Sequence, residues 1–139
     1  MKKSLEVKQI GIIHSPFPQP KDCPRQGIFS PAASVIEILP EYSDALLGVE
    51  AGRNYLVFYE AHLADRTLLQ TVPPGLGRPC GVFASRSPHR PNPINICIVK
   101  LDRREGNKLH VTGLDAADQS SLIDIKPYAR DLTPGKAAN

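Results

Sequence analysis

The stretch INICIVKLDRREGNKLHVTGL, residues 94–114, contains two β-rich runs on either side of the turn sequence EGNK. Isoleucine, valine and threonine favour extended backbone. Gly106 followed by Asn107 is typical of a tight hairpin turn, which requires positive φ values. This stretch therefore predicts an antiparallel β-hairpin, and the rest of the chain is interpreted around it.

Five further segments carry a strand pattern. They are VKQIGIIHS (7–15), ASVIEIL (33–39), NYLVFYEAH (54–62), GVFAS (81–85) and LIDIKPY (122–128). The third is apolar and aromatic enough to predict a central strand buried on both faces. The last alternates polar and apolar residues, which indicates a half-exposed strand. EYSDALLG, residues 41–48, fits one or two helical turns that end at Gly48, whereas residues 63–78 leave loop, edge strand and frayed turn open.

Fourteen prolines and ten glycines in 139 residues indicate many short strands joined by rigid loops. Six or seven such strands with little helix predict an all-β fold, a small single-sheeted antiparallel β-barrel. The length fits one domain over residues 1–139, with residues 131–139 as a frayed tail.

Composition excludes several classes of protein. The net charge is only +3, from 17 basic and 14 acidic residues, so an anionic partner must be met by a local patch. Cys23, Cys80 and Cys97 are odd in number and form no C-x-x-C pair, which indicates neither a disulfide framework nor a zinc site. No apolar run approaches a membrane span and MKKSLEVKQIG lacks a signal-peptide core, so we expect a soluble, cytoplasmic protein.

The loop RSPHRPNPI, residues 86–94, concentrates polar side chains between three prolines. Prolines fix φ, so this loop loses little entropy when a ligand orders its side chains. Arg86 and Arg90 offer planar guanidinium groups for a carboxylate or phosphate, and Asn92 can both donate and accept hydrogen bonds. The pattern predicts a preorganised binding loop, and a solvated loop stiffened by proline is the alternative.

Two shorter motifs also carry ligand-capable residues. In CPRQG (23–27), Arg25 can bind polar groups beside a glycine that permits close approach, although this pentapeptide alone favours an ordinary turn with a solvent-facing arginine. In DIKPY (124–128), Asp124 and Lys126 share one strand face, and a surface ion pair worth about 0–1 kcal/mol is the alternative. The chain has no P-loop, Rossmann glycine fingerprint, H-E-x-x-H motif or nucleophile elbow, which argues against the corresponding enzyme classes.

These motifs, in this order, resemble the TrmO-type family, also called TsaA-like. The matching stretches are IGIIHSPF, CPRQG, YLVFYEAH, GVFASRSPHRPNPI and LIDIKPY, which together extend from Ile10 to Tyr128. Members of the family are β-barrel proteins that use S-adenosylmethionine to methylate transfer RNA. GVFASRSPHRPNPI is the most specific match because it is long and unusual in composition.

The resemblance implies an antiparallel barrel that is usually dimeric, with the methyl donor bound near the subunit interface. It implies methylation of N6 of threonylcarbamoyladenosine, the base just 3′ of the anticodon. The donor-binding positions that it implies are Pro24, Arg25, Gln26, His62, Leu63, Arg86, Ile96, Asp118, Ser121 and Leu122. Two positions depart from the family pattern: Asn95 stands where a glycine is usual after RPNPI, and DQSS (118–121) replaces DGTP.

A sulfonium is already an activated methyl donor, so the chemistry needs alignment rather than a metal. Arg25 or Arg86 would bind the donor's carboxylate. We expect Asp124 to accept the proton of the methylated nitrogen, with Lys126 or Tyr128 orienting the substrate.

Arg90 and Asn92 are expected to bind the transfer RNA substrate. Arg103, Arg104 and Lys108 surround the hairpin turn and are either RNA contacts or a solvated turn. A homodimer would enlarge this basic surface. Two other functions remain: a module that binds S-adenosylmethionine without catalysis, and a methyltransferase with a different acceptor.

Overall fold

The computed structural model describes residues 2–24 and 31–128, which contain eight strands. In chain order they are β1 (Gly11–His14), β2 (Ala33–Ile38), β3 (Asn54–Glu60), β4 (Gln70–Thr71), β5 (Cys80–Gly81), β6 (Ile94–Glu105), β7 (Lys108–Thr112) and β8 (Ser121–Pro127). Six of them close an antiparallel barrel in the order β1-β2-β7-β6-β3-β8, which confirms the predicted barrel. β4 and β5 form a small separate sheet, an addition to the predicted single sheet.

Helix in the described residues is limited to short 3₁₀ segments. They span Pro20–Asp22, Pro40–Leu46 and Val82–Ala84. The second confirms the helical turns expected from EYSDALLG, and it is followed by Gly48 at a φ of 90°. No helix within residues 2–24 and 31–128 is long and apolar enough to cross a membrane.

Inward-facing side chains of the barrel strands fill the interior. The most completely buried are Ile13, Ile36, Val57, Val99, Leu101, Val111 and Leu122, each at most 2% exposed. Burying an aliphatic side chain of this kind stabilises the fold by roughly 1.5–3 kcal/mol. The barrel therefore has a packed apolar core, and polar chemistry must lie at its ends or on its outer surface.

The hairpin expected from residues 94–114 is confirmed as β6 and β7, which pair from Lys100 opposite Thr112 to Glu105 opposite Lys108. Its turn differs from the prediction. Gly106 has a φ of 58°, but Asn107 is not among the residues with positive φ. A turn with positive φ at its first central residue alone is the type II′ pattern.

Asn107 contributes to the turn through its side chain. Its Nδ2 donates to the Ile38 carbonyl at 3.1 Å and to Ser43 Oγ at 2.7 Å. The hairpin turn is thereby joined to the end of β2 and to the adjacent 3₁₀ segment. The asparagine is explained by these two hydrogen bonds rather than by a left-handed backbone.

The structure corrects two strand predictions. β3 is not buried on both faces: Tyr55, Val57 and Tyr59 point inward, whereas Leu56 and Phe58 are half-buried, because the outer face of a barrel strand is not covered by a second layer. GVFAS is not one strand, since β5 ends at Gly81 and a 3₁₀ turn follows. The undecided residues 63–78 form turns and β4, and the predicted tail 131–139 lies outside the described residues.

A register shift in β8 decides which of its side chains face outward. Phe58 of β3 pairs with Asp124, but Tyr59 pairs with Leu122, so one extra residue is inserted in β8. Leu122 is fully buried and Ile125 packs against the core. Asp124 and Lys126 accordingly share the outer face, as the alternation predicted.

Candidate functional site

A cleft of about 1350 Å³ runs from one end of the barrel along the outside of β6. Its walls include Leu56 and Tyr59 of β3, residues 61–64, residues 85–90, residues 94–98, Cys23, Pro24, Asp115, Ala117, Ser120 and Tyr128. A pocket for a drug-sized ligand takes roughly 300–1,000 Å³. The cleft is therefore large enough for such a ligand together with part of a second molecule.

The proline-rich loop that lines this cleft is held by its own hydrogen bonds. Arg90 Nη1 donates to the carbonyls of Ser85 and Ser87, both at 3.0 Å. The Ser87 amide donates to Ser85 Oγ, and the His89 amide donates to Ser87 Oγ, each at 3.2 Å. These bonds hold the loop backbone in one conformation. They also occupy Nη1 of Arg90, which is therefore not free to bind a ligand.

The segment after β3 braces the same loop from outside. The Asp65 amide donates to His89 Nδ1 at 2.9 Å, and Arg66 Nε donates to the Pro91 carbonyl at 3.0 Å. The Ala61 amide donates to the Pro93 carbonyl at 2.8 Å. Two loops far apart in sequence are thus joined, and the segment holding His62 and Leu63 is positioned beside the proline-rich loop.

Arg86 differs from Arg90 in being exposed and uncommitted. Within residues 2–24 and 31–128 its guanidinium makes no hydrogen bond or ion pair, although it lines the cleft. A guanidinium of this kind offers parallel donors to a carboxylate or phosphate. Of the two arginines in the loop, Arg86 is the one available to a ligand.

A polar cluster of Tyr59, Asn95 and Asp115 lies where the cleft meets the end of the barrel. The Tyr59 hydroxyl donates to Asp115 Oδ1 at 2.8 Å and accepts from Asn95 Nδ2 at 3.3 Å. Burial of the phenol, together with the nearby charge of Asp115, raises the pKa of Tyr59 well above its usual range. Tyr59 is therefore a neutral hydrogen-bond donor whose orientation is fixed.

Sequence reasoning missed Tyr59 and Asp115 and noted Asn95 only as a departure from a pattern. Tyr59 and Asp115 are 56 positions apart, so no local motif joins them. The available signal was the alternation of β3, which places Tyr59 on the inward face at the end of a strand.

Cys23 lies close enough to this cluster to be influenced by its charge. Burial raises the pKa of the Cys23 thiol to about 11, and the negative charges of Asp115 and Asp22 add to the shift. The thiol is therefore protonated at neutral pH. It lines the cleft as a weakly polar group rather than as a nucleophile.

The structure brings some of the expected site residues together and leaves others apart. Those that line the cleft are Pro24, His62, Leu63, Arg86, Arg90, Ile96 and Tyr128. Those that do not are Asn92, Asp118, Ser121, Leu122, Asp124 and Lys126. Arg25 and Gln26 lie outside the described residues.

Asp118 and Leu122 have structural contacts of their own. Asp118 Oδ1 accepts from the Ser15 amide at 2.9 Å, and Oδ2 accepts from Gln119 Nε2 at 3.3 Å. Gln119 has a φ of 69°, and its amide donates to the Ile13 carbonyl at 2.8 Å. Leu122 belongs to the core at 0% exposure. The segment that departs from the family pattern is thus fastened to the chain around β1.

The charged residues on β8 and on the hairpin also have partners. Lys126 Nζ lies 3.3 Å from Asp124 Oδ2 on the outer face of β8. Arg104 Nη1 donates to the carbonyls of Leu46 at 2.8 Å and Val49 at 3.0 Å. Arg103 Nη2 lies 3.3 Å from Glu105 Oε1, at the surface. Arg104 therefore has a structural role.

Among residues 2–24 and 31–128, no group of three or more histidine, cysteine, aspartate or glutamate side chains is arranged to hold a metal ion.

Comparison with known proteins places this chain in a family. Residues 12–133 match the model of the tRNA-methyltransferase O N-terminal domain. An S-adenosyl-L-methionine-binding protein of Archaeoglobus fulgidus is 47% identical over 126 residues, 91% of each chain. A tRNA (adenine(37)-N6)-methyltransferase of mouse is 35% identical over 140 residues, 92% of this chain and 32% of the mouse protein.

A crystal structure of TrmO from Pseudomonas aeruginosa superimposes with a TM-score of 0.77 at 30% identity. The match covers 98% of this chain and 62% of that one, so the chain spans less than two thirds of this structural relative. It spans 93% of a probable S-adenosyl-L-methionine-binding protein of Methanothermobacter thermautotrophicus, with 45% identity over 128 residues. On the family model and these identities, the chain belongs to the tRNA-methyltransferase O N-terminal domain family.

Proposed function

We propose that this chain is an S-adenosylmethionine-dependent methyltransferase that acts on transfer RNA, at N6 of threonylcarbamoyladenosine beside the anticodon. The observation that carries the proposal is the cleft in which a braced proline-rich loop presents the uncommitted guanidinium of Arg86. Family membership and the names of the relatives support the methyl donor and the class of acceptor.

The chemistry of the cleft walls fits the donor. Arg86 can bind the donor's carboxylate in a bidentate manner, while Leu63 and Ile96 offer apolar surface to its adenosine. β7 pairs with β6 only from Lys100 onward, so the backbone edge of β6 around Ile96 is not covered by β7. That edge can donate and accept the hydrogen bonds that an adenine requires.

Methyl transfer needs little from the protein beyond alignment. The bond between sulfur and the methyl carbon breaks while a bond between the acceptor nitrogen and that carbon forms, and the sulfonium becomes a neutral thioether. The nitrogen then loses its proton. A preorganised loop that fixes the donor keeps its methyl group aligned with the acceptor nitrogen, which lowers the barrier to transfer. The apolar walls exclude competing water.

We propose Asp124 as the acceptor of that proton, with Lys126 and Tyr128 orienting the acceptor base. Tyr128 lines the cleft, and the ion pair of Asp124 with Lys126 lies on β8, which ends one residue before Tyr128. The proposed arrangement requires the RNA base to reach the outer face of β8. Arg90 and Asn92, on the proline-rich loop, would then contact the RNA, with Arg90 offering whichever nitrogens the loop does not use.

We also propose that two copies associate around the cleft. Among the described residues, eight of the eleven exposed large apolar side chains fall between positions 63 and 96. They are Leu63, Leu68, Leu69, Val72, Leu76, Phe83, Ile94 and Ile96. Three of them line the cleft, so an apolar contact there would cover the ligand as well.

Calorimetric titration with S-adenosylmethionine tests donor binding. We expect the wild-type chain to bind in the micromolar range and Arg86→Ala to lose at least about tenfold in affinity, since a charged hydrogen-bonded pair is lost. Arg78→Ala is the matched control, because Arg78 is also exposed but does not line the cleft. An Arg86→Ala variant that binds as tightly as Arg78→Ala would remove Arg86 from the site.

Transfer of a labelled methyl group tests the reaction. Transfer RNA that bears the threonylcarbamoyl group should accept label, and the same RNA without the group should not. Asp124→Asn should keep donor binding but lower turnover at least about 10²-fold. Unchanged turnover in that variant would exclude Asp124 as the proton acceptor.

The second candidate function is a module that binds S-adenosylmethionine without catalysis. The names of the two archaeal relatives, which describe binding only, favour it. Donor binding in the calorimeter without label transfer to either RNA would support this function. Label transfer to a different fraction of a cell extract would instead support a methyltransferase with another acceptor.

A further inference from the structure

The charges that line the cleft are unequal in number. Among the described lining residues, Asp115 contributes the one carboxylate, whereas Arg86 and Arg90 contribute guanidinium groups. The proposed donor carries a carboxylate, an ammonium and a sulfonium. The donor's carboxylate can pair with Arg86. For its ammonium and sulfonium, Asp115 is the one carboxylate among the described lining residues.

Asp115 is held so that one of its oxygens remains available. Oδ1 accepts the hydrogen bond from Tyr59, while Oδ2 accepts none from any described residue. Tyr59 is 4% exposed and is itself contacted by Asn95, so the carboxylate cannot easily rotate away. Asp115 is half-buried. A fixed, partly dehydrated carboxylate with a free oxygen is suited to binding a cation.

We propose that Asp115 binds the methylsulfonium of S-adenosylmethionine, and that the chain thereby distinguishes the charged donor from the neutral thioether product, S-adenosylhomocysteine. This inference rests on the proposed function. It gives Tyr59 the role of a positioning residue, which orients Asp115 without touching the ligand.

Electrostatics explains why the discrimination would be specific to the sulfonium. A carboxylate a few ångströms from a cation gains Coulomb energy that water screens only in part inside a cleft. The product lacks that charge at sulfur but keeps the same carboxylate, ammonium and adenosine. Removing the Asp115 charge should therefore weaken binding of the donor and leave binding of the product nearly unchanged.

The experiment measures dissociation constants of both ligands by calorimetry, on the wild-type chain and on Asp115→Asn. We expect the variant to bind S-adenosylmethionine about tenfold or more weakly and S-adenosylhomocysteine within about threefold of wild type. Asp102→Asn is the matched control: it removes one carboxylate from an exposed position on β6 outside the cleft and should change neither constant.

The possible outcomes separate this inference from the proposed function. If the wild-type chain binds neither ligand, the proposed function fails. If it binds the donor but Asp115→Asn weakens both ligands equally, Asp115 interacts with the ammonium or the ribose, and the inference is wrong. If both ligands bind as tightly as before and only turnover falls, Asp115 acts in proton transfer, and the inference is again wrong.

Two further measurements keep the inference testable if Asp115→Asn does not fold. Tyr59→Phe retains the ring but removes the hydrogen bond to Asp115, and it should reduce the preference for the charged donor while leaving the product's affinity unchanged. On the wild-type chain, an analogue with an amine in place of the methylsulfonium should bind at least about tenfold more tightly than the neutral thioether. Equal binding of these two ligands would overturn the inference.

Discussion

At the scale of single residues, Asp115 is the one carboxylate among the described residues that line the cleft. Its carboxylate contacts Tyr59 directly, and its charge contributes to the raised pKa of Cys23. Cys23 is therefore a reporter of that charge, placed in the same cleft but 92 positions away in sequence. The state of Asp115 can be measured without any ligand.

Alkylation of Cys23 gives this measurement. In a Cys80→Ser background, we expect the rate with iodoacetamide to rise with pH with a midpoint at about 11, because only the thiolate reacts. A nearby negative charge disfavours the thiolate, so Asp115→Asn should lower the midpoint and raise the rate at pH 9 at least about twofold. Cys97 is 6% exposed and should contribute little.

Asp102→Asn again serves as the control and should leave the alkylation profile unchanged, since Asp102 does not contribute to the Cys23 shift. A midpoint that stays at its wild-type value in Asp115→Asn would mean that burial and Asp22 raise the Cys23 pKa without a contribution from Asp115. Asp115 would then be too far from Cys23 to influence it.

At the scale of elements, Arg104 joins the β6–β7 hairpin to the 3₁₀ segment before β3, in addition to the strand pairing and the Asn107 hydrogen bonds. Arg104 Nη1 donates to the Leu46 and Val49 carbonyls, at the end of the 3₁₀ segment Pro40–Leu46. Hydrogen bonds from a charged donor are worth more than neutral ones. Within the described part of the chain, the polar contacts of the neighbouring Arg103 are with the surface side chains of Glu105 and His110.

This difference predicts unequal effects on stability. Arg104→Ala should lower the free energy of unfolding by about 1–3 kcal/mol in urea denaturation, whereas Arg103→Ala should change it by no more than about 1 kcal/mol. Each variant removes one arginine charge from the same hairpin. Their affinities for RNA can therefore be compared directly, provided that both variants are folded. Equal stabilities would mean that the Arg104 bonds are exchanged for water without cost.

The elements that sequence predicted well are those whose pattern is local. β2 and the β6–β7 hairpin follow from β-branched runs and a glycine turn, and they lie close to the expected residues. GVFAS was predicted as a strand, although a 3₁₀ turn occupies Val82–Ala84. The half-buried outer face of β3 was not predicted, because burial on each face depends on which strands close the barrel. The Tyr59–Asp115 contact was missed for the same reason.

In the candidate site, too, the features with a local sequence pattern were predicted and the contacts that depend on the fold were not. The proline-rich loop is recognisable in the sequence from its polar side chains between three prolines, and the structure places its Arg86 and Arg90 in the cleft. Their different roles depend on hydrogen bonds to Ser85 and Ser87 that no composition argument could assign. Asp124 and Lys126 were grouped correctly on one strand face, and their 3.3 Å contact matches the surface ion pair that the sequence left as the alternative.

At the scale of the whole molecule, the barrel core and the cleft account for different sets of apolar residues. The described strands enclose the core, yet apolar side chains between positions 63 and 96 remain exposed. Phe83 is 84% exposed, and Leu69 is 68% exposed on the segment that leads into β4. A contiguous exposed apolar patch is typical of an association surface, and these side chains would supply it in the proposed dimer.

Mutation of Phe83 tests the proposed association of two copies. Because its side chain is almost fully exposed, Phe83→Asp should leave the stability of the monomer within about 0.5 kcal/mol of wild type. An aspartate buried in an interface should raise the dimer dissociation constant at least about tenfold, measured by light scattering across a dilution series. Leu47→Asp is the matched control, since Leu47 is 93% exposed but lies outside residues 63–96. A wild-type chain that is monomeric throughout the series would contradict the proposal, and equal dissociation of both variants would place the interface elsewhere.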